Sequence, residues 1–116
     1  MDDQDHQLLP RDFADSLLEH RRALDALDAQ FVRLLAARFS ITRCIGALKA
    51  SHDVPAADPK REQAQLERLA LLSADAGVPS DVTRAVYETL FRFVRANHLA
   101  QARSANSGAL EREPEE

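Results

Sequence analysis

Two cations, Arg38 and Lys49, stand eleven residues apart in the stretch LLAARFSITRCIGALK, which is otherwise patterned for burial. Eleven helical steps of about 100° return to within about 20° of the starting direction, so both point the same way, about three turns apart. Lys49 by itself would be a last-turn lysine answering the helix dipole, and Arg38 by itself could snorkel. Together, on a face shared with the core, they predict an anion lodged between helices, because a buried guanidinium costs several kcal/mol unless an anion meets it. Arg21 precedes Arg38 by seventeen residues and lies roughly 100° away around the helix. It would reach a partner chain's site more readily than its own, whereas its neighbour Arg22 reads as a charge facing water. Further on, Arg61 and Glu62 open a second helix. They either hold a small anion and a hydroxyl beside free backbone N–H groups, or form an exposed first turn in which the glutamate complements the macrodipole.

The elements that must position these groups are helices. Leu17, Leu24, Phe31, Arg38 and Ile45 recur at sevens, with Leu27, Leu34, Ile41 and Leu48 as the companion row. Four such heptads describe a helix that buries one seam against another helix, and Arg38 interrupts that seam. The first helix is expected from about Asp12 to Ser51. After the loop HDVPAAD, Asp58 reads as an N-cap with Pro59 at the first helical position, opening a helix that stops at Gly77. Pro79 and Ser80 start a third, carrying Val82, Val86, Leu90 and Phe93 or Val94, and running to about Ala102. The reading is an all-α domain over residues 12–102, with unpatterned, disordered tails at 1–11 and 103–116. A helix of about 38 residues is about 57 Å long, whereas a compact chain of this size has a radius of gyration of about 13 Å. The first helix must outrun its own globule, and two shorter helices cannot cover its seam. A two-fold homodimer answers this most simply; the alternative is a kink near Gly46 that folds the helix back.

At 116 residues the chain has room for one domain at most. A hydrophobic fraction of 45% suffices for a helical core, while three glycines and no tryptophan argue against a β-rich fold. The net charge of -4 counts against a nucleic-acid partner, which would call for a basic face. A single cysteine, Cys44, excludes an internal disulfide and reads as a small helix residue. With no Cys/His cluster, no metal is expected. The acidic N-terminus has neither a basic region nor an apolar run, so neither a signal peptide nor a membrane span is expected, and the location is read as cytoplasmic.

The order HRRALDALDAQFVRLLAARFSITRCIGALKASHDVPAADPKRE resembles the all-helical, type II chorismate mutases. That family shows an arginine before an L-D dipeptide, then L-L-x-x-R, I-G-x-x-K and D-P-x-R-E. Here these are Arg21, Leu27-Asp28, Leu34 to Arg38, Ile45 to Lys49, and Asp58 to Glu62. The resemblance covers about residues 16 to 100 and implies an intertwined homodimer of three-helix chains with shared active sites. It implies a small-molecule dianion as substrate, clamped by Arg38 and by Arg21 of the other chain. Lys49 would bind a carboxylate and the ether oxygen, Arg61 would complete the cationic wall, and Asp58 and Glu62 would meet the substituent at ring carbon 4. The reaction implied is a [3,3]-sigmatropic shift, which needs no nucleophile, metal or cofactor. Holding the reactive arm over the ring and stabilising charge on the ether oxygen suffice.

Two positions depart from the family. Counted from Gly77, the small polar residue at plus 17 is Val94, and the glutamine or glutamate at plus 21 is His98. Valine donates nothing; histidine can still donate to the ether oxygen. Another register, with Asn97 and Gln101 at these places, needs three inserted residues and turns the apolar stripe away. These departures point to an altered substrate, 4-amino-4-deoxychorismate, whose ammonium Asp58 and Glu62 would favour. An isochorismate-pyruvate lyase shares the scaffold. From another class stands a non-catalytic dimerisation or regulatory module, disfavoured by Arg21, Arg38, Lys49 and Arg61, since a pure seam would prefer leucine at position 38.

Overall fold

A computed structural model describes residues 3–112, with side chains over 10–108. It consists of three helices, α1 (Asp3–Ser51), α2 (Pro59–Ala76) and α3 (Ser80–Arg112). Among the described residues there is no strand, and no helix is long and apolar enough to cross a membrane. The all-α architecture and the order of the helices are as the sequence implies.

The ends differ. α1 begins at Asp3 rather than Asp12 and runs through Pro10, and α3 continues past Ala102 to Arg112. The tails expected to be unstructured are therefore helical over 3–11 and 103–112, while 1–2 and 113–116 lie outside the described residues. Apolar periodicity ends near Asp12 and Ala102, but a helix needs only tolerable propensity to continue. The stretches beyond are rich in Gln, Leu, Ala and Arg, which supply it. Pro10 has no N–H to offer the carbonyl of His6, so this end of α1 is held by one bond fewer.

The chain divides into two units, Met1–Arg38 and Phe39–Glu116. The described residues of the first are all helix. Its rows of Leu24, Leu27, Phe31 and Leu34 are each more than half exposed. The second unit holds the end of α1 together with α2 and α3. Its core is Leu69 of α2 and Phe91 of α3, with Gly46, Ser73 and His98 buried beside them. Tyr87 meets Phe91 edge to face, ring centres 6.2 Å apart. Ile41 and Leu48 remain more than half exposed, as does Phe93.

α2 is closed at both ends. Asp58 caps α2, its Oδ1 accepting the Arg61 N–H at 3.1 Å, and Pro59 follows at the first position. At the other end Gly77 takes the left-handed conformation, φ 75°, that a glycine adopts without strain. The Val78 N–H reaches back to the Ser73 carbonyl at 2.9 Å. Ser73 Oγ donates to the Val78 carbonyl (2.9 Å), so the contact of 2.6 Å with Thr83 Oγ1 must be donated by the threonine. The inward face of α3 consequently runs Thr83, Tyr87, Leu90, Phe91, Val94 and His98, with Val82 and Val86 exposed. The expected stripe through Val82 and Val86 is thus rotated by one residue, because Thr83 finds a hydroxyl partner and Phe91 supplies the largest buried ring.

Candidate active site

Lys49 lies in the last turn of α1. Its carbonyl accepts the N–H groups of His52 (3.3 Å) and Val54 (2.9 Å). The chain turns there through Asp53, whose φ of 56° is left-handed and tolerable for an aspartate. The backbone at Lys49 is therefore tied down by the helix ending. Its half-buried side chain has no hydrogen-bonding or ionic partner among the described residues. A fixed, partly desolvated ammonium with no protein anion is free to meet an external one.

The opening of α2 gathers Asp58, Arg61 and Glu62. Capping takes one carboxylate oxygen of Asp58 and leaves the other. The Arg61 guanidinium is exposed and without a partner among the described residues. Glu62 is different. Its Oε1 lies 2.5 Å from Arg95 Nη1, joining α2 to α3, with the side chains 26% and 44% exposed. The pair borders an open groove of about 540 Å³, lined also by Leu66, Glu88, Phe91 and Arg92. Nothing local in the sequence announces this pair, because its members stand thirty-three residues apart.

On α3, Val94 is half-buried and His98 is 5% exposed. His98 Nε2 lies 2.8 Å from the carbonyl of Thr42 on α1. A carbonyl only accepts, so Nε2 carries the hydrogen, and a neutral ring has only an acceptor, Nδ1, left to offer. Donation from His98 to an ether oxygen is therefore open only to the doubly protonated ring. One turn later Gln101 Nε2 donates to the Arg43 carbonyl at 3.0 Å. Its Oε1 is buried without a hydrogen-bond partner. Between these contacts lies Gly46: a Cβ there would overlap Gln101 Oε1 and stand 2.6 Å from His98 Cδ2. Asn97, the companion of Gln101 in the other register, is exposed.

The remaining two cations belong to the first unit. There Arg38 is half-buried and Arg21 exposed. The second unit carries the others, Lys49, Asp58, Arg61, Glu62, Val94 and His98. Among the described residues no group of three His, Cys, Asp or Glu gathers to hold a metal ion.

The family model for chorismate mutase type II matches residues 20–99. The chain is similar to the T-protein of Haemophilus influenzae, 30% identical over 86 residues that make up 74% of this chain and 22% of the T-protein. It is also similar to the chorismate mutase of Methanocaldococcus jannaschii, 24% identical over 82 residues, 71% of this chain and 83% of that enzyme. The chain thus spans about a fifth of the first relative and most of the second. With more than half its length matched, including every charged position singled out above, the chain belongs to the type II chorismate mutase family.

Proposed function

We propose that the domain is an isomerase that rearranges chorismate to prephenate, and that it does so as a homodimer in the cytoplasm. The observation that carries the reading is Lys49, a half-buried ammonium on a fixed helix end with no protein anion to neutralise it. In the rearrangement the C–O bond to the enolpyruvyl arm breaks while a C–C bond forms, and negative charge builds on the ether oxygen. Lys49 supplies a donor there and to a carboxylate, an interaction stronger in the transition state than in the ground state. Arg38 and Arg21 of the partner subunit hold the two carboxylates. Arg61 completes the cationic wall, and Asp58 and Glu62 meet the substituent on the ring. Holding the arm over the ring removes the entropy of finding that geometry.

The dimer is supported by the uncovered seam: Leu24, Leu27, Phe31, Leu34, Ile41 and Leu48 all stand more than half exposed on the single chain. An apolar row of that length in water marks an association surface. The test is to incubate purified protein with chorismate, isochorismate and 4-amino-4-deoxychorismate and identify the products. Prephenate from chorismate is the expected result, and pyruvate release from isochorismate would make the protein a lyase instead. Mixing inactive Arg21→Ala and Lys49→Ala under subunit exchange should restore part of the activity through one intact shared site. A folded monomer in light scattering at micromolar concentration would remove the shared site.

A further inference from the structure

The one ion pair that joins α2 to α3 among the described residues uses a glutamate of the candidate site. Glu62 sits in the first turn of α2, and Arg95 of α3 holds its Oε1 at 2.5 Å. A second ion pair, Arg84 with Glu88, joins residues four apart on one helix and is mostly exposed, at 60% and 52%. A pair of that kind contributes little. The Glu62–Arg95 pair is of another kind, since the glutamate is only 26% exposed and the contact crosses between elements.

From this geometry we propose that Arg95 is a specificity-determining residue, which by pairing Glu62 sets the site to accept a neutral hydroxyl and to reject an ammonium at the same ring position. The inference rests on the proposed function, in which Glu62 meets the substituent at ring carbon 4. A carboxylate with one oxygen on a guanidinium retains a second oxygen that accepts a hydrogen bond from a hydroxyl. The pair as a whole carries no net charge. An ammonium beside it gains attraction from the carboxylate and loses most of it to the guanidinium a few ångströms further on. A hydroxyl has no such charge to lose. Arg95 also fixes the direction of the carboxylate, so a bound hydroxyl meets an acceptor already oriented, without the side-chain ordering that an unpaired glutamate would require. The acidic residues at the mouth of α2 would, unpaired, favour an amino analogue. Arg95 removes the share of that preference that Glu62 carries.

The experiment measures kcat/KM on chorismate and on 4-amino-4-deoxychorismate for the wild-type protein, Arg95→Gln, Arg95→Lys and Glu62→Gln. Wild type should prefer chorismate. Removing the positive charge in Arg95→Gln should move the ratio toward the amino substrate by about tenfold, the effect of one partly screened charge at this distance. Arg95→Lys should keep the wild-type ratio. Glu62→Gln removes the carboxylate and leaves the cation, so it should move the ratio the opposite way. A uniform loss on both substrates, with the ratio unchanged in Arg95→Gln, would make the pair purely structural and overturn the inference. Should Arg95→Gln fail to fold, the Glu62→Gln and Arg95→Lys ratios decide alone. Wild-type protein that turns over neither substrate removes the proposed function itself, a result distinct from an unchanged ratio.

Discussion

Gly46→Ala is the most direct perturbation of the contact that seats α3 on the end of α1. In an exposed helix interior, glycine to alanine stabilises by about 1 kcal/mol through backbone entropy. Here the new methyl would overlap Gln101 Oε1 and approach His98 Cδ2 to 2.6 Å. Gln101 can swing away, but that gives up its bond to the Arg43 carbonyl, and the His98 ring is held by its bond to Thr42. Losing both bonds costs about 0.5–1.5 kcal/mol each, and forcing a methyl into a closed contact adds about 1–3 kcal/mol. Set against the gain in propensity, the net destabilisation comes to about 3 kcal/mol. For a chain of this length that corresponds to a Tm lower by roughly 10 °C. Thermal unfolding followed by far-ultraviolet circular dichroism, at matched protein concentration, measures it. Gly108→Ala is the internal control: also helical, with open space where the methyl would go, it should gain up to about 1 kcal/mol. If Gly46→Ala proved as stable as Gly108→Ala, the helices would not approach there and the argument for His98 as an anchor would fail.

The other predictions follow from which side chains have partners and which do not. Lys49→Met should lower kcat/KM on the true substrate by 100-fold or more, the usual loss when a donor to developing charge is removed. Its Tm should be unchanged or higher, because no protein contact of the ammonium is lost, and a clear drop in Tm would show that Lys49 is part of the scaffold. His98→Gln should keep the fold, since an amide can replace the Nε2 donor, whereas His98→Leu should cost about 1 kcal/mol or more from the lost bond to Thr42. Equal stability of the two variants in denaturant titration would contradict the anchoring role.

The local rules of the chain were open to reading. Asp58, Pro59 and Gly77 carry their own instructions, a side-chain acceptor, a fixed φ and a free left-handed conformation, and α2 begins and ends where they stand. The heptad rows were equally plain, because a period needs no knowledge of the fold. Three features lay beyond that reach. The continuation of α1 back to Asp3 and of α3 out to Arg112 rests on propensity, which declines gradually and marks no residue. The face of α3 turned by one residue because a hydroxyl pair between Ser73 and Thr83, ten residues apart, decided it. Arg95 was hidden for a related reason: a surface arginine is ordinary until the fold brings a particular carboxylate to it. His98 lies between these cases, since its type was informative but its direction depended on a backbone carbonyl fifty-six residues away.

The turn between α2 and α3 has a kinetic meaning as well. Everything that closes it comes from within ten residues: the Gly77 reversal, the Val78 N–H on Ser73, and the serine hydroxyl linking the Val78 carbonyl to Thr83. Such contacts form with little loss of chain entropy, so this hairpin can assemble before any distant pairing. A nascent chain, or a subunit released from the proposed dimer, would keep it as a preformed template while the seam of α1 is still exposed. Amide exchange would then read the molecule as two clocks, slow around Leu69, Ser73 and Phe91 and fast along the first unit, the second slowing only if the proposed dimer forms.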